Sequence, residues 1–272
     1  GDQGVQELNT MNWGDDNQFL GSMYYRIYFQ VAMANEFLRE TTDDKLSSRG
    51  VDGALRAEIQ QFRAEARFLR ALSYWHGIDI FGAIPLVDEN FPIGATPPEQ
   101  ATRAEVYQFV VDELNAVRGE LPAAGAGEYG RADQGAVAML LAKVYMNAEV
   151  YTGAAAYGPA MAEIQAVIGS GAYDLDDDYV EIFLADNHNS PEIIFAVPQD
   201  GVRTQSYGGT TFLTHASVGG SMNATDDYGL DGGWWGLRIQ PEVVTLFNGG
   251  TLPSGDARAD DILYTDGQNL AV

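Results

Sequence analysis

Cysteine is absent from the 272 residues, which removes disulfides and thiolate metal sites from consideration. That absence leaves the compartment open, because a secreted chain of this size need not be stapled. Lysine is nearly absent too: Lys45 and Lys143 are the only two among 15 basic residues. Against these stand 39 acidic residues, for a formal charge of −24. A surface of that sign repels nucleic acid and anionic lipid headgroups, so nucleic acid is not an expected partner. High acid with little lysine suits a salt-rich habitat, where counterions screen self-repulsion; an acidic extracellular protein is the plainer alternative. No apolar run approaches the ~20 residues of a membrane span. No leader peptide is visible, the chain opens at Gly1 rather than Met, and it stops at Asn269-Leu270-Ala271-Val272 without an ending-like helix. The expectation is a fragment of a longer protein, truncated at both ends.

Catalytic motifs are missing as well. No H-E-x-x-H, P-loop or G-x-S-x-G pattern occurs. Of the three histidines, His76 reads as packed beside Trp75 on a helix, and His188 falls in a turn-like Asp186-Asn187-His188-Asn189. Asp174, Asp176 and Asp178 alternate like the opening of an EF-hand, but Tyr179 replaces the turn glycine and Ala185 the bidentate glutamate. A solvated acidic loop is the reading, with no metal and no cofactor expected.

Helical periodicity is what the chain does have. Phe19, Met23, Ile27, Val31, Asn35 and Leu38 recur at spacings of three and four, predicting a helix over 17–39. A second helix is predicted over 51–81, with Leu55, Ile59, Phe62, Ala66, Leu69, Ser73 and Ile80 on one face, Arg63, Arg67 and Arg70 interleaved, and Gly82 and Pro85 as the stop. Thr102 and Glu105 have the spacing of a capping box ahead of Val106, Phe109, Val110, Leu114 and Val117. A fourth helix is predicted over 134–151, with Val137, Leu140, Leu141, Val144 and Tyr145 inside, and a fifth over 159–168, with Met161, Ile164 and Ile168. Phe62, Leu69, Leu140 and Val144 are expected to be buried. The fold class is mainly α, built of antiparallel helix pairs like tetratricopeptide repeats, though no fixed repeat period aligns.

The character changes near residue 170. Residues 1–170 form the expected helical region; 171–272 form a loop-rich, aromatic-rich region with short strands, at Tyr173-Asp174-Leu175 and over Glu192-Ile193-Ile194-Phe195-Ala196-Val197. Long loops of this kind are uncommon unless functional.

Several blocks then fall in one order. Ala64-Glu65-Ala66-Arg67-Phe68-Leu69-Arg70-Ala71 leads through Tyr74 and Trp75 to Ile80-Phe81-Gly82-Ala83-Ile84-Pro85-Leu86-Val87. Ala34-Asn35 precedes it, with Met33 where an arginine is usual. Ala138 to Tyr145, then Gly171 to Leu175 with Ser190-Pro191-Glu192-Ile193-Ile194-Phe195, follow it. Gly255-Asp256-Ala257-Arg258 closes the series after a short predicted helix, Pro241 to Phe247. Together they resemble the SusD/RagB family; His76-Gly77 inside the first block departs from its pattern. The resemblance implies an outer-membrane lipoprotein exposed at the cell surface. It would bind oligosaccharides or other nutrients, perform no chemistry on them, and deliver them to a SusC-type TonB-dependent transporter. Its only membrane attachment would be a lipid anchor that these residues lack.

Candidate ligand contacts come from loop aromatics. A flat indole covers the apolar face of a sugar ring while polar neighbours meet its hydroxyls. Trp13 stands in a turn-like run with Asp15 and Asn17; Trp234 and Trp235 stand between glycines close to Asp231. These six residues are the candidate site, while Trp75 reads as structural. Two other classes stay open: a protein-interaction solenoid without sugar binding, and a helical glycoside hydrolase using two of the many carboxylates.

Overall fold

The computed structural model describes residues 4–94, 97–179, 181–184, 186–200, 202–204, 210–219, 222–236 and Glu242. The short helix predicted over 241–247 and the Asp256-Ala257-Arg258 block lie outside these residues. Helix α1 is Val5–Asn9, α2 is Gln18–Glu40 and α3 is Asp43–Ser48. Helix α4, Gly53–Ile80, is followed by the two-residue strands β1, Ile84–Pro85, and β2, Gln100–Ala101. Helix α5 is Arg103–Val117, α6 Gln134–Met146, α7 Ala148–Thr152 and α8 Tyr157–Ser170; α9, Thr210–Ser217, and α10, Ala224–Tyr228, come later. Helices dominate, as the sequence periodicity predicts.

Helix starts follow from side chains that satisfy free amides. Asn17 accepts from the Phe19 and Leu20 amides, Asp52 from Leu55 and Asp133 from Ala136. At α5 the capping box is complete: Thr102 accepts from the Glu105 amide and Glu105 from the Thr102 amide. The helix predicted over 134–151 instead breaks at Asn147, which separates α6 from α7. The Asn147 side chain donates to the Lys143 carbonyl at 3.1 Å, competing with the helical ladder.

Packing directions can be read from cross-helix partners. Arg63 donates to the Leu38 carbonyl at 2.8 Å, Arg70 to Asn35 Oδ1 at 2.6 Å, and Ser73 to Gln30 Oε1 at 2.7 Å. Numbers rise on α4 as they fall on α2, so the pair is antiparallel. The same holds for α4 and α5, through Arg70–Glu113 at 2.7 Å and Tyr74 edge-on to Phe109 at 5.4 Å.

Helix α4 therefore lies between two neighbours, and this corrects the predicted stripe. The buried apolar side chains are Ala64, Phe68, Ala71, Tyr74 and Ile78; of the predicted stripe Ser73 is buried too, while Phe62 and Leu69 are only half-buried. A helix covered on two sides has no single apolar face. Leu140 and Val144 of α6 are buried as expected. On α8, Ala160 and Val167 are buried and the predicted Met161 and Ile168 are exposed, because the small residues form the face packed on α6.

The blocks that resemble a known family have structural work to do. Arg70 sits buried at the centre, bonded to Asn35, Glu89 and Glu113, with Phe109 5.4 Å from its guanidinium carbon. Burial alone would lower its pKa, but Glu113 and Glu89 more than offset that and hold it above the ordinary value. Arg67 also binds Glu113, at 2.8 Å, and Glu65 binds Arg131 at 2.6 Å. The segment after α4 turns at Gly82, whose φ of 77° suits glycine. Tyr28 then donates to the Pro85 carbonyl, Asn35 to the Val87 carbonyl, and the Tyr74 hydroxyl both donates to the Val87 carbonyl and accepts from its amide. Gly77 leaves room for buried Ile84: a Cβ there would lie 2.5 Å from the Ile84 Cδ1. That packing explains a glycine at a position where the sequence pattern offers no reason for one.

The chain forms two compact units. The helical one takes residues 2–175 and also 191–196; the other takes 176–190 and 197–272. The strands predicted at 173–175 and 192–197 are absent, since neither segment pairs with a ladder. They are held otherwise. Tyr173 donates to Asp133 at 2.9 Å, the Asp174 amide donates to the Pro191 carbonyl, and Phe195 stacks edge-on against Phe68 at 5.2 Å.

Candidate ligand-binding site

Within the second unit, Trp234 and Trp235 are anchored by backbone to the end of α9. A helix leaves its last carbonyls without intrahelical donors. Here the Trp234 amide donates to the His215 carbonyl at 2.8 Å and the Gly236 amide to Ala216 at 2.8 Å, while the Trp235 amide donates to Val218 at 3.2 Å. The tandem tryptophans are thus laid back across the helix end. Close approach requires small residues. A Cβ on Gly233 would lie 2.2 Å from the Val218 carbonyl oxygen, and one on Gly219 would lie 2.4 Å from the Trp235 ring. Trp235 itself has a φ of 61°, in the left-handed region that costs a bulky residue about 1–2 kcal/mol.

The rings have distinct settings. Trp234 stacks on the His215 imidazole at 4.9 Å with an interplanar angle of 32°, and Phe212 lies 6.4 Å away. The ring remains 40% exposed, and Trp235 59%. His215 Nδ1 is 2.9 Å from the Thr211 carbonyl, which only accepts, so that nitrogen carries a proton. Its Nε2 faces Asp231 Oδ1 at 3.3 Å, an ion pair when the ring is doubly protonated. The Asp231 carboxylate is otherwise almost wholly in solvent. The arrangement is an aromatic surface with a carboxylate beside it, suited to a ring with one apolar face and hydroxyl donors at its edge.

The remaining predicted residues belong to the helical unit. Trp13 is 50% exposed and Asp15 is exposed, in the turn ahead of α2. Asn17 is a correction. It is only 3% exposed, its Oδ1 accepts from the first turn of α2, and its Nδ2 donates to the Gly4 carbonyl at 3.1 Å and to Glu7 at 2.9 Å. With its amide committed to the fold, it has nothing to offer a ligand. Trp75 is half-buried, with His76 stacked on it at 4.7 Å and Lys143 at 5.8 Å from its centroid. Burial pushes His76 below its ordinary pKa, and Lys143 adds to the effect.

Comparison with known proteins decides the family. The sequence model of a family described as starch-binding and associating with the outer membrane, SusD-like, matches residues 3–146. The chain belongs to the SusD-like family. The starch-binding protein SusD of Bacteroides thetaiotaomicron is 35% identical over 249 residues, covering 90% of this chain. This chain spans 42% of the length of that relative. A structure solved with a xylogluco-oligosaccharide shares the fold with a TM-score of 0.68 at 23% identity, over 86% of this chain and 45% of that one. A laminarin-binding SusD-like protein aligns with a TM-score of 0.54 at 26% identity, over 66% of this chain and 38% of that one. The family match lies in the helical unit; the tandem tryptophans lie beyond its last matched residue.

The SusD-like helical unit also has a feature that the sequence reading missed. A groove of about 1120 Å³ is lined by Tyr25, Phe29, Met33 and Phe37 of α2 and by Ala66 and Leu69 of α4. Its signal was present as a second apolar stripe on α2 at every fourth residue, beside the buried stripe of Ile27, Val31 and Leu38. The lining is mostly apolar; of its polar members Arg26, Tyr28 and Gln30, Tyr28 donates to the Pro85 carbonyl and Gln30 accepts from Ser73, so two of the three are engaged within the fold. Among the described residues, no group of three or more His, Asp or Glu is placed to hold a metal, and no helix is long and apolar enough to cross a membrane.

Proposed function

We propose that the protein captures an oligosaccharide at the cell surface, with Trp234 or Trp235 as the stacking platform, and delivers it unaltered to a SusC-type TonB-dependent transporter in the outer membrane. The observation that carries the reading is the tandem-tryptophan segment. Two large apolar rings stay substantially exposed although the backbone around them is fixed by two hydrogen bonds to α9 and a third to Val218 just after it. Exposing rigid aromatics is unfavourable for folding alone and favourable for recognition, because little side-chain entropy is lost on binding. Trp13, exposed with Asp15 in the helical unit, is a further stacking candidate. Starch, laminarin and a xylogluco-oligosaccharide as ligands of the similar proteins support a glucan as the first ligand to test.

Capture without chemistry fits the carboxylates nearest the core, since Glu65, Glu89 and Glu113 are all paired with arginines. A shallow aromatic site also allows the release that handover requires. The test is titration of the full-length protein with oligosaccharides from starch, laminarin and xyloglucan. Trp234→Ala and Trp235→Ala are compared singly with the parent, and Trp13→Ala is run beside them. At least one of the tandem substitutions should weaken binding tenfold or more with the helical fold intact by circular dichroism. If both bind as tightly as the parent, the platform is elsewhere. Steady product release, abolished by one Asp or Glu substitution, would replace capture with hydrolysis.

A further inference from the structure

We infer that the Trp234–Asp231 site selects uncharged glycans and rejects uronate-containing or sulfated ones of the same length; this rests on the glycan reading of that site. The first ground is local. Asp231 is the polar group beside the Trp234 platform, tied to it through His215, which stacks under the indole and meets Asp231 Oδ1 at 3.3 Å. A carboxylate only accepts hydrogen bonds, so it pairs with hydroxyl donors and leaves an approaching carboxylate or sulfate oxygen without a donor. The described nitrogen donor facing Asp231 at this place is His215 Nε2, already engaged with that carboxylate, and its ring is covered by Trp234.

The second ground is the field around the site. Asp226 and Asp227, on α10 shortly before Asp231, are exposed. Among the described residues of this unit there are ten Asp and Glu against one arginine, Arg203, and no lysine. Recognition of anionic polymers uses arginine or lysine to meet each acid group, ideally as a bidentate fork. Here the balance is reversed, so an anionic chain is repelled as it nears and meets a further negative charge on contact. A neutral sugar has neither penalty, and its hydroxyls supply the donors that Asp231 lacks.

The experiment uses the full-length protein and calorimetric titration at low and high sodium chloride. The probes are glucose-based oligosaccharides from starch, laminarin and xyloglucan, oligogalacturonate of matched length, and a sulfated glucan oligosaccharide. The expected result is binding of at least one neutral probe, lost in Trp234→Ala, with both anionic probes at least tenfold weaker. Asp231→Asn, which removes the charge and keeps a polar side chain, should narrow that gap, and high salt should narrow it further. Anionic probes that bind as tightly as the neutral ones, through Trp234, overturn the charge selectivity while leaving the glycan site standing. A gap unchanged in Asp231→Asn and in high salt overturns it as well. Failure of every probe, neutral and anionic, overturns the glycan reading and this inference with it.

Discussion

Arg70 shows how one side chain can organise several elements. It is the largest fully buried residue, and it joins α2 through Asn35, α5 through Glu113 and the segment after α4 through Glu89. Removing one member of such a cluster leaves the others buried without a partner, which costs about 3–5 kcal/mol. Arg70→Met should therefore lower stability in urea by about that amount, whereas Arg49→Met, at an exposed pair with Glu40, should change it by less than about 1 kcal/mol. Asn17 makes the complementary point about function. Asn17→Ala should cost about 1 kcal/mol through loss of the cap and leave ligand affinity at the parent level. A loss of affinity with unchanged stability would reverse that assignment.

At the scale of elements, glycines set the approach distances. Gly135 lies in the first turn of α6, where Tyr173 crosses it, and a Cβ would meet the Tyr173 hydroxyl at 2.3 Å and two ring carbons below 3 Å. That hydroxyl donates to Asp133, the cap of α6, and accepts from the Gly125 amide. Burial and the hydrogen bond to Asp133 push the phenol up to about 12. In an exposed helix, Gly→Ala stabilises by about 1 kcal/mol. Here Gly135→Ala should instead destabilise by about 1–3 kcal/mol, because the rigid ring and its bonds to the Asp133 cap and the Gly125 amide must move together. Thermal unfolding followed at 222 nm decides the sign. Thr102→Ala, which opens the capping box of α5, should cost about 1 kcal/mol by the same measurement.

For the whole molecule the dominant quantity is charge. At −24 the folded chain repels itself, and added sodium chloride should raise its melting temperature more than that of a near-neutral control of similar size. A flat or falling curve would remove the screening argument. Acid acts through particular groups. Burial alone would raise the Glu89 pKa, but its bond to Arg70 wins and holds it below the ordinary 4.5. A depressed carboxylate contributes stability that is fully present above 4.5 and disappears as pH falls through its lower folded value. Urea midpoints across that acidic range should fall for the parent and fall less steeply for Glu89→Gln. Equal slopes would mean the pair adds nothing to acid sensitivity.

The sequence by itself determined the mainly helical class, the starts of α2, α5 and α6, the buried Leu140 and Val144, and the family blocks. Each of these depends on neighbours within a turn or two, so spacing along the chain is enough to reveal it. Tertiary structure decided the rest. Phe68 rather than Phe62 reaches the core because α4 is covered from two sides, which no single-helix periodicity encodes. The segments over 173–175 and 192–197 have strand composition but form no ladder, since a strand needs a partner and none pairs with them. At the candidate site, the exposed tryptophans were legible from their glycine-flanked loop. Asp231 was legible beside them, three residues before Trp234; His215, sixteen residues before Asp231, joins the indole and that carboxylate only because α9 brings it there. Asn17 carries the same residue type and loop setting as a sugar contact; its Oδ1 caps α2 locally, but only the position of Gly4 and Glu7 beside it commits its Nδ2 and buries it. Local order is written in local pattern, while the partner of a polar side chain is set by whatever distant residue the fold brings within 3 Å.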